Sequence, residues 1–150
     1  MHHSRLCTMV IDCRVDDLAP AAEFWSRALG KPIASADQDG DGKYAELATA
    51  PDEPMVVLQK VGHKSRIHLD IETDDLEAEA ERLEALGAKR IACVRERWWV
   101  MEAPTGHRFC VVRRQRVEFG PHLNTWSTCK TSTFRTRTEI QRRTVYDACP

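Results

Sequence analysis

The segment Val10-Ile-Asp-Cys-Arg-Val-Asp-Asp-Leu, followed by a helix-like stretch ending Ala28-Leu29-Gly30, returns as His68-Leu-Asp-Ile-Glu-Thr-Asp-Asp-Leu, closed by Ala85-Leu86-Gly87. Asp17 and Asp75 stand 58 positions apart, and Gly30 and Gly87 stand 57 apart, so one register holds from strand through helix to helix stop. A chain that carries the same unit twice is constrained to a fold with an internal twofold relation. Neither copy is large enough to bury a sheet face alone, so the two must share one sheet and one core.

Within the first copy, residues 7–14 alternate, with Met9, Ile11 and Cys13 on one face and Thr8, Val10, Asp12 and Arg14 on the other. That is the period of a strand with one buried side. Asp16-Asp17 offers an N-cap, Pro20 suits a first helical turn, and Leu18, Ala21, Ala22, Trp25, Ala28 and Leu29 fall on one side of a helix that Gly30 stops. Strands are predicted near residues 33–36, 44–48 and 55–61, separated by turns at 37–42 and 51–54. The second copy repeats the order: a strand over 66–72, the cap Asp74-Asp75, the apolar stripe Leu76, Ala80, Leu83 and Leu86, the stop Gly87, and strands near 90–94, 98–102 and 107–113. The expected class is α+β. Two βαβββ units, 5–62 and 63–115, form one curved, cup-shaped mixed sheet with the helices outside and a concave cleft inside.

At 150 residues the chain is one domain's length, enough to bury roughly 70% of its unfolded surface. It carries no long apolar run and no charged start leading into one, which points to a cytoplasmic protein without a membrane partner. Six cysteines are scattered without a C-x-x-C pair and read as reduced core thiols. Residues 116–150 form a C-terminal extension that, from about 127, is polar and aperiodic and is expected to be poorly ordered. Its basic residues Lys130, Arg135, Arg137, Arg142 and Arg143 outnumber Glu139 and Asp147, but without interleaved aromatics they do not read as a nucleic-acid arm.

The strand–Asp-Asp-Leu–helix–Leu-Gly pattern, its repetition, and the ending Ala103-Pro-Thr-Gly-His-Arg-Phe-Cys-Val-Val resemble the glyoxalase, bleomycin-resistance and extradiol-dioxygenase superfamily, the vicinal oxygen chelate fold. Within it, the His68-Leu-Asp-Ile strand and the Phe109-Cys-Val-Val ending are most similar to small bacterial glyoxalase-like domains. The resemblance implies a homodimer and, in metal-dependent members, one divalent ion held by four His, Gln or Glu ligands. Transferred position by position, the ligand places fall on Val10, His68, Gln59 and Cys110. Only His68 is a good ligand, no glutamate falls at a base or ligand position, and the expected cofactor is therefore none, with a divalent metal on His68 as the alternative.

His68 shares its parity with Arg66 and Asp70 and should face the cleft, either as a neutral imidazole touching ligand or as a satisfied polar group. Asp12 and Asp70 occupy equivalent places in the two copies and read as structural carboxylates or as an acid/base pair with His68. Trp98 and Trp99 point to opposite sides, and one of them is a stacking platform for a planar ligand. Tyr44, on the comparable strand of the first unit, is a second such candidate, and Cys110 is more readily a buried thiol than a nucleophile. Asp37–Gly42 imitates the start of a calcium loop, but Ala48 stands where that loop needs glutamate, so a hairpin turn is expected. The expected function is a metal-independent protein that holds an apolar or aromatic small molecule in its cleft. The alternatives are a lyase, isomerase or dioxygenase using His68 as metal ligand or acid/base, and an interaction module working through the basic tail.

Overall fold

Strand β1 (His2–Cys13) lies at the centre of the sheet and, being long, pairs with three other strands. It runs parallel to β4 (Met55–Lys60), antiparallel to β5 (Arg66–Thr73), and at its first residues antiparallel to β9 (Asn124–Trp126). The computed structural model describes residues 1–36, 41–116, 119 and 122–127. The remaining strands are β2 (Ile33–Ala36), β3 (Tyr44–Leu47), β6 (Lys89–Val94), β7 (Trp98–Glu102) and β8 (Arg108–Arg113), and the sheet order is β2-β3-β4-β1-β5-β8-β7-β6. Strands β4 and β8 each run parallel to the opening strand of their own unit, so the two halves match across the β1–β5 junction. The architecture is the α+β pair of βαβββ units expected from the repeat.

Helices α1 (Ala19–Leu29) and α2 (Leu76–Ala85) cover the convex face. Under α1 lies a core of Ile11, Cys13, Leu18, Ala22, Ala45, Leu47, Val56 and Leu58. Under α2 lies a smaller one of Ala80, Met101 and Val111, with Leu76, Leu83, Trp99 and Phe109 packed against it. Asp75 caps α2 by accepting from the Ala78 N–H at 3.0 Å, as expected. At α1 the cap residue is Leu18, and Asp17 instead accepts from the Ala19 N–H at 3.0 Å. Gly30 ends α1 in the left-handed region at φ 64°. Gly87 follows α2 at φ 99°, where an added Cβ would also meet Pro104 at 3.3 Å. Between the helices the convex face stays bare: Ile67 is 60% and Leu69 45% exposed, with Leu6 and Met9 exposed beside them.

The first strand begins at His2, well before the start expected from alternation alone, because His2 and Ser4 are anchored by a partner from α2. Glu79, with no exposed surface, meets His2 Nε2 at 2.8 Å and accepts from Ser4 Oγ at 3.0 Å and from Arg82 at 2.7 and 2.8 Å. Trp126 of β9 donates to Ser4 Oγ at 2.7 Å, and Arg82 lies over its ring. Part of the extension is thereby built into the sheet. Cys7 and Cys13 are buried as expected, but Cys93 is exposed on β6. The basic tail, Cys129, Cys149 and most of the Asp37–Gly42 turn lie outside the described residues. No helix among those described is long and apolar enough to cross a membrane.

Burial raises the cost of the Glu79 charge, but bonds from Arg82, His2 and Ser4 outweigh it and hold the carboxyl below its ordinary value of 4.5. A depressed carboxyl stabilises the fold above its ordinary pKa and loses that contribution as pH falls through the depressed value. Glu79→Ala should cost about 3–5 kcal/mol in denaturant unfolding at neutral pH, since it strands buried partners. The gap between the native chain and Glu79→Gln should close as the pH is taken below 4.5. A gap constant with pH would show that the charge of Glu79 is not what holds the β1 start.

Candidate functional site

The inner face of the sheet collects the residues of opposite parity to the core, and the register decides which of them meet. Val10 lies opposite His68 and Asp12 opposite Arg66 across β1–β5, while Asp70 has Thr8 on one side and Cys110 of β8 on the other. On the far wall Gln59 lies opposite Tyr44, and its amide donates to the Tyr44 hydroxyl at 3.3 Å. These side chains line an open cleft of about 930 Å3 together with Trp98. Of the nine residues singled out from sequence, seven border this cleft: Val10, Tyr44, Gln59, His68, Asp70, Trp98 and Cys110.

Two do not. Trp99 lies opposite Val111 on the convex side, donates to Glu77 at 2.7 Å and carries Arg90 over its ring, so it packs against α2 and is not a ligand platform. Trp98, opposite Val112, is the inward one. Asp12 is 2% exposed and sits behind His68 rather than on the cleft surface. It accepts from His68 Nδ1 at 3.0 Å and Arg66 Nε at 3.2 Å, with His63 Nε2 at 3.7 Å. Its role is to hold the imidazole, so it is a positioning residue for any chemistry at the floor.

The repeat-related carboxylates therefore serve a single ring. Asp12 takes Nδ1, and Asp70 Oδ1 stands 3.4 Å from Nε2. Burial alone would lower the His68 pKa, but Asp70, the Cys110 thiol and Asp12 together raise it to about 10. These neighbours favour the protonated ring, a balance that strand parity alone does not show because the two acids stand on opposite sides of it. Burial pushes the Cys110 thiol up despite His68, which leaves it protonated and a poor nucleophile. Cys7, also behind this face, is pushed up to about 12 by burial.

The 3.4 Å contact of Asp70 lies outside good hydrogen-bond geometry, and its Oδ1 has no hydrogen-bond partner among the described residues. One donor atom each of His68, Asp70 and Cys110 fall within 4.8 Å of one another. Nitrogen, oxygen and sulfur donors of this kind suit zinc rather than calcium or magnesium, and Asp12 on the other ring nitrogen is the usual brace of a metal-bound histidine. The residues fit such an ion once His68 and Cys110 give up their protons.

Glu46, Met55, Val57 and Val112 also line the cleft and were not singled out from sequence. They were within reach of the same parity argument, since Glu46 is two residues from Tyr44 and Val57 two from Gln59. A glutamate, Glu46, therefore stands in the cup, outside the positions transferred from the family. Arg95, Arg97 and Arg113 stand on the wall beside Trp98. Nothing in a sequence period places a turn residue over a cleft.

A family model described as Glyoxalase-like domain matches residues 8–112, and the chain belongs to that family. No curated protein matches it. Among solved structures it is similar to methylmalonyl-CoA epimerase from Mycobacterium tuberculosis, at 18% identity over 72% of this chain and 86% of that one, with a TM-score of 0.53. It is also similar to a glyoxalase/bleomycin resistance protein/dioxygenase superfamily member from Vibrio splendidus, at 16% identity over 74% and 99% of the two chains, TM-score 0.51. A hypothetical protein from Bacillus halodurans gives 13% identity over 78% and 99%, TM-score 0.57. At these identities the likeness establishes the vicinal oxygen chelate fold and leaves the reaction open.

Because the His68 pKa is raised in the fold, its contribution to stability is fully present below the ordinary value of 6.5 and is lost as pH rises through about 10. Asp12→Asn should lower the native His68 pKa by about 1–3 pH units, followed by the imidazole proton resonances. An unchanged titration would show that Asp12 is not what keeps the ring charged.

Proposed function

We propose that this glyoxalase-like protein binds a small molecule with an apolar or aromatic body in the cup and does so without a metal. The observation that carries the reading is the His68 ring, fixed between two carboxylates at the floor of a cleft whose walls are Val10, Met55, Val57, Val112 and Trp98. Apolar walls supply most of the binding, and one charged group at the floor orients the ligand's polar end. The volume falls within the roughly 300–1,000 Å3 of small-molecule sites. The ring of Trp98 adds about 0.5–1.5 kcal/mol of stacking for a planar ligand.

The second reading is an enzyme, and Asp70 Oδ1, buried without a hydrogen bond among the described residues and in contact with His68 at 3.4 Å, favours it. Asp70 is the carboxylate placed to take a proton from a bound molecule, and His68 is the donor placed to return one. A zinc-like ion, if resident, would be held by His68, Asp70 and Cys110 and would polarise a ligand oxygen. The fold is shared with methylmalonyl-CoA epimerase, so acyl thioesters belong in the first screen beside aromatic compounds. The homodimer implied by the family resemblance, the placing of residues 5–115 as the binding domain and a cytoplasmic location are kept as parts of the proposal.

A thermal-shift screen with native mass spectrometry tests the reading. A ligand at a hundred times its Kd should raise stability by about 2.7 kcal/mol, about 5–10 °C in a domain of this size, and His68→Ala should remove most of that rise. Stoichiometric zinc in the purified protein, with loss of ligand binding on chelation, would overturn metal independence. Conversion of a hit that stops in Asp70→Asn would favour the enzyme. Sedimentation velocity on the full chain decides the dimer.

A further inference from the structure

The turn between β6 and β7 has a backbone that its sequence does not suit. Arg95 and Glu96 both lie in the left-handed region, at φ 49° and 56°, and the Arg97 N–H donates to the Val94 carbonyl at 2.9 Å. Two such residues in succession under that bond make a type I′ hairpin turn, for which Asn-Gly or Asp-Gly is the relaxed choice. Side chains with a Cβ are strained there, and a sequence that keeps Arg-Glu keeps it against its own turn stability.

That conformation puts the turn at the mouth of the cup. Arg95, Glu96 and Arg97 all border the cleft, and Arg113 of β8 borders it beside them. Arg113 braces the turn by donating from Nη2 to the Glu96 carbonyl at 3.4 Å. The guanidinium groups of Arg95 and Arg97 have no ion pair or hydrogen bond among the described residues. Arg95, Arg97 and Arg113 against the carboxylate of Glu96 make this wall basic, while Glu46 lines the cleft from β3 in the other unit. A low-dielectric cleft with a surplus of one charge at its rim concentrates ligands of the other sign. Arginine's planar fork matches a carboxylate or phosphate with two parallel bonds.

At the floor the carboxylates of Asp12 and Asp70 already stand against Arg66 and His68, whereas the guanidinium groups without partners are at the rim. We propose that the cup's ligand carries an anionic oxyacid group, carboxylate or phosphate, bound at the rim by Arg95 and Arg97 with Arg113 as brace. The proposal rests on the small-molecule reading of the cup and adds the charge of the ligand to it.

The full chain is titrated by fluorescence with two probes of the same apolar body, anilinonaphthalene sulfonate and the neutral N-phenylnaphthylamine that lacks the sulfonate. The native chain should bind the sulfonate more tightly. Arg95→Gln/Arg97→Gln should weaken it about tenfold and leave the neutral probe unchanged, and Val57→Trp, which fills the cup, should weaken both. In Arg95→Asn/Glu96→Gly the turn is relaxed, so the thermal midpoint should rise while sulfonate binding falls, an opposition that a purely structural turn would not show. Equal affinities for the two probes, or no loss in the arginine variants, would overturn the anion subsite and leave the cup reading standing. Undiminished binding in Val57→Trp would place the probes outside the cup and also overturn the subsite. If neither probe binds the native chain, the cup reading itself fails and takes the subsite with it.

Discussion

The antiparallel pairing of β1 with β5 is the constraint on which the rest of this molecule rests. Each unit offers a short mixed sheet covered by one helix on one side, and such a half has neither a complete core nor a cleft. Joining the opening strands edge to edge makes one sheet and curves it. The register of that joint brings Val10 opposite His68 and Asp12 opposite Arg66. A slip of one residue would turn His68, Asp70 and Asp12 toward the helices and bring Leu69 and Ile71 into the cup. The irregularity between Leu6 and Thr8 lets the strand continue to His2, where Glu79 of the second unit's helix holds it. The two units are thus tied at both ends of one strand.

Much of this was legible from residue order, because the features that decide it are local or periodic. The repeat gave the number and kind of elements, alternation put Val10, His68 and Asp70 on the face away from the first core, and the family resemblance supplied Gln59 and Cys110, all of which line the cleft. Legibility stopped where an outcome depended on partners far along the chain. Which of Trp98 and Trp99 turns inward follows from their pairing with Val112 and Val111, and a pair of adjacent tryptophans does not carry that information. The charge on His68 depends on Asp12, 56 positions away, and on Cys110 across the next strand. The early start of β1 depends on a glutamate in the second helix. The left-handed Arg95-Glu96 turn runs against its local preference and so was invisible to rules built on preference.

Duplication usually suggests two matched sites, and here it produced one. Asp12 and Asp70 are equivalents in the two copies, yet both face the ring of His68, while Val10, the equivalent of His68, supplies only apolar wall. The twofold relation survives in the backbone, where strand pairing requires it, and is lost in the side chains, where nothing does. A proton on His68 already satisfies Asp12 and draws in Asp70, so an ion must displace it and also take the proton of Cys110. Metal and proton compete for one position.

The distribution of charge then orders the cup from bottom to top. At the floor each carboxylate has a cation against it, so a fully charged ligand group brought there would lose hydration and gain little net attraction. Along the walls, valines, Met55 and the face of Trp98 reward an apolar body. At the rim, half in water, arginines without partners keep most of their hydration until a ligand arrives, and pairing them costs less desolvation than pairing a buried charge. A ligand matching that sequence has a neutral polar end, an apolar middle and an anionic end. On the proposed reading the order of these groups matters as much as their identity, since reversing the ligand would put its charge where no free counter-charge remains.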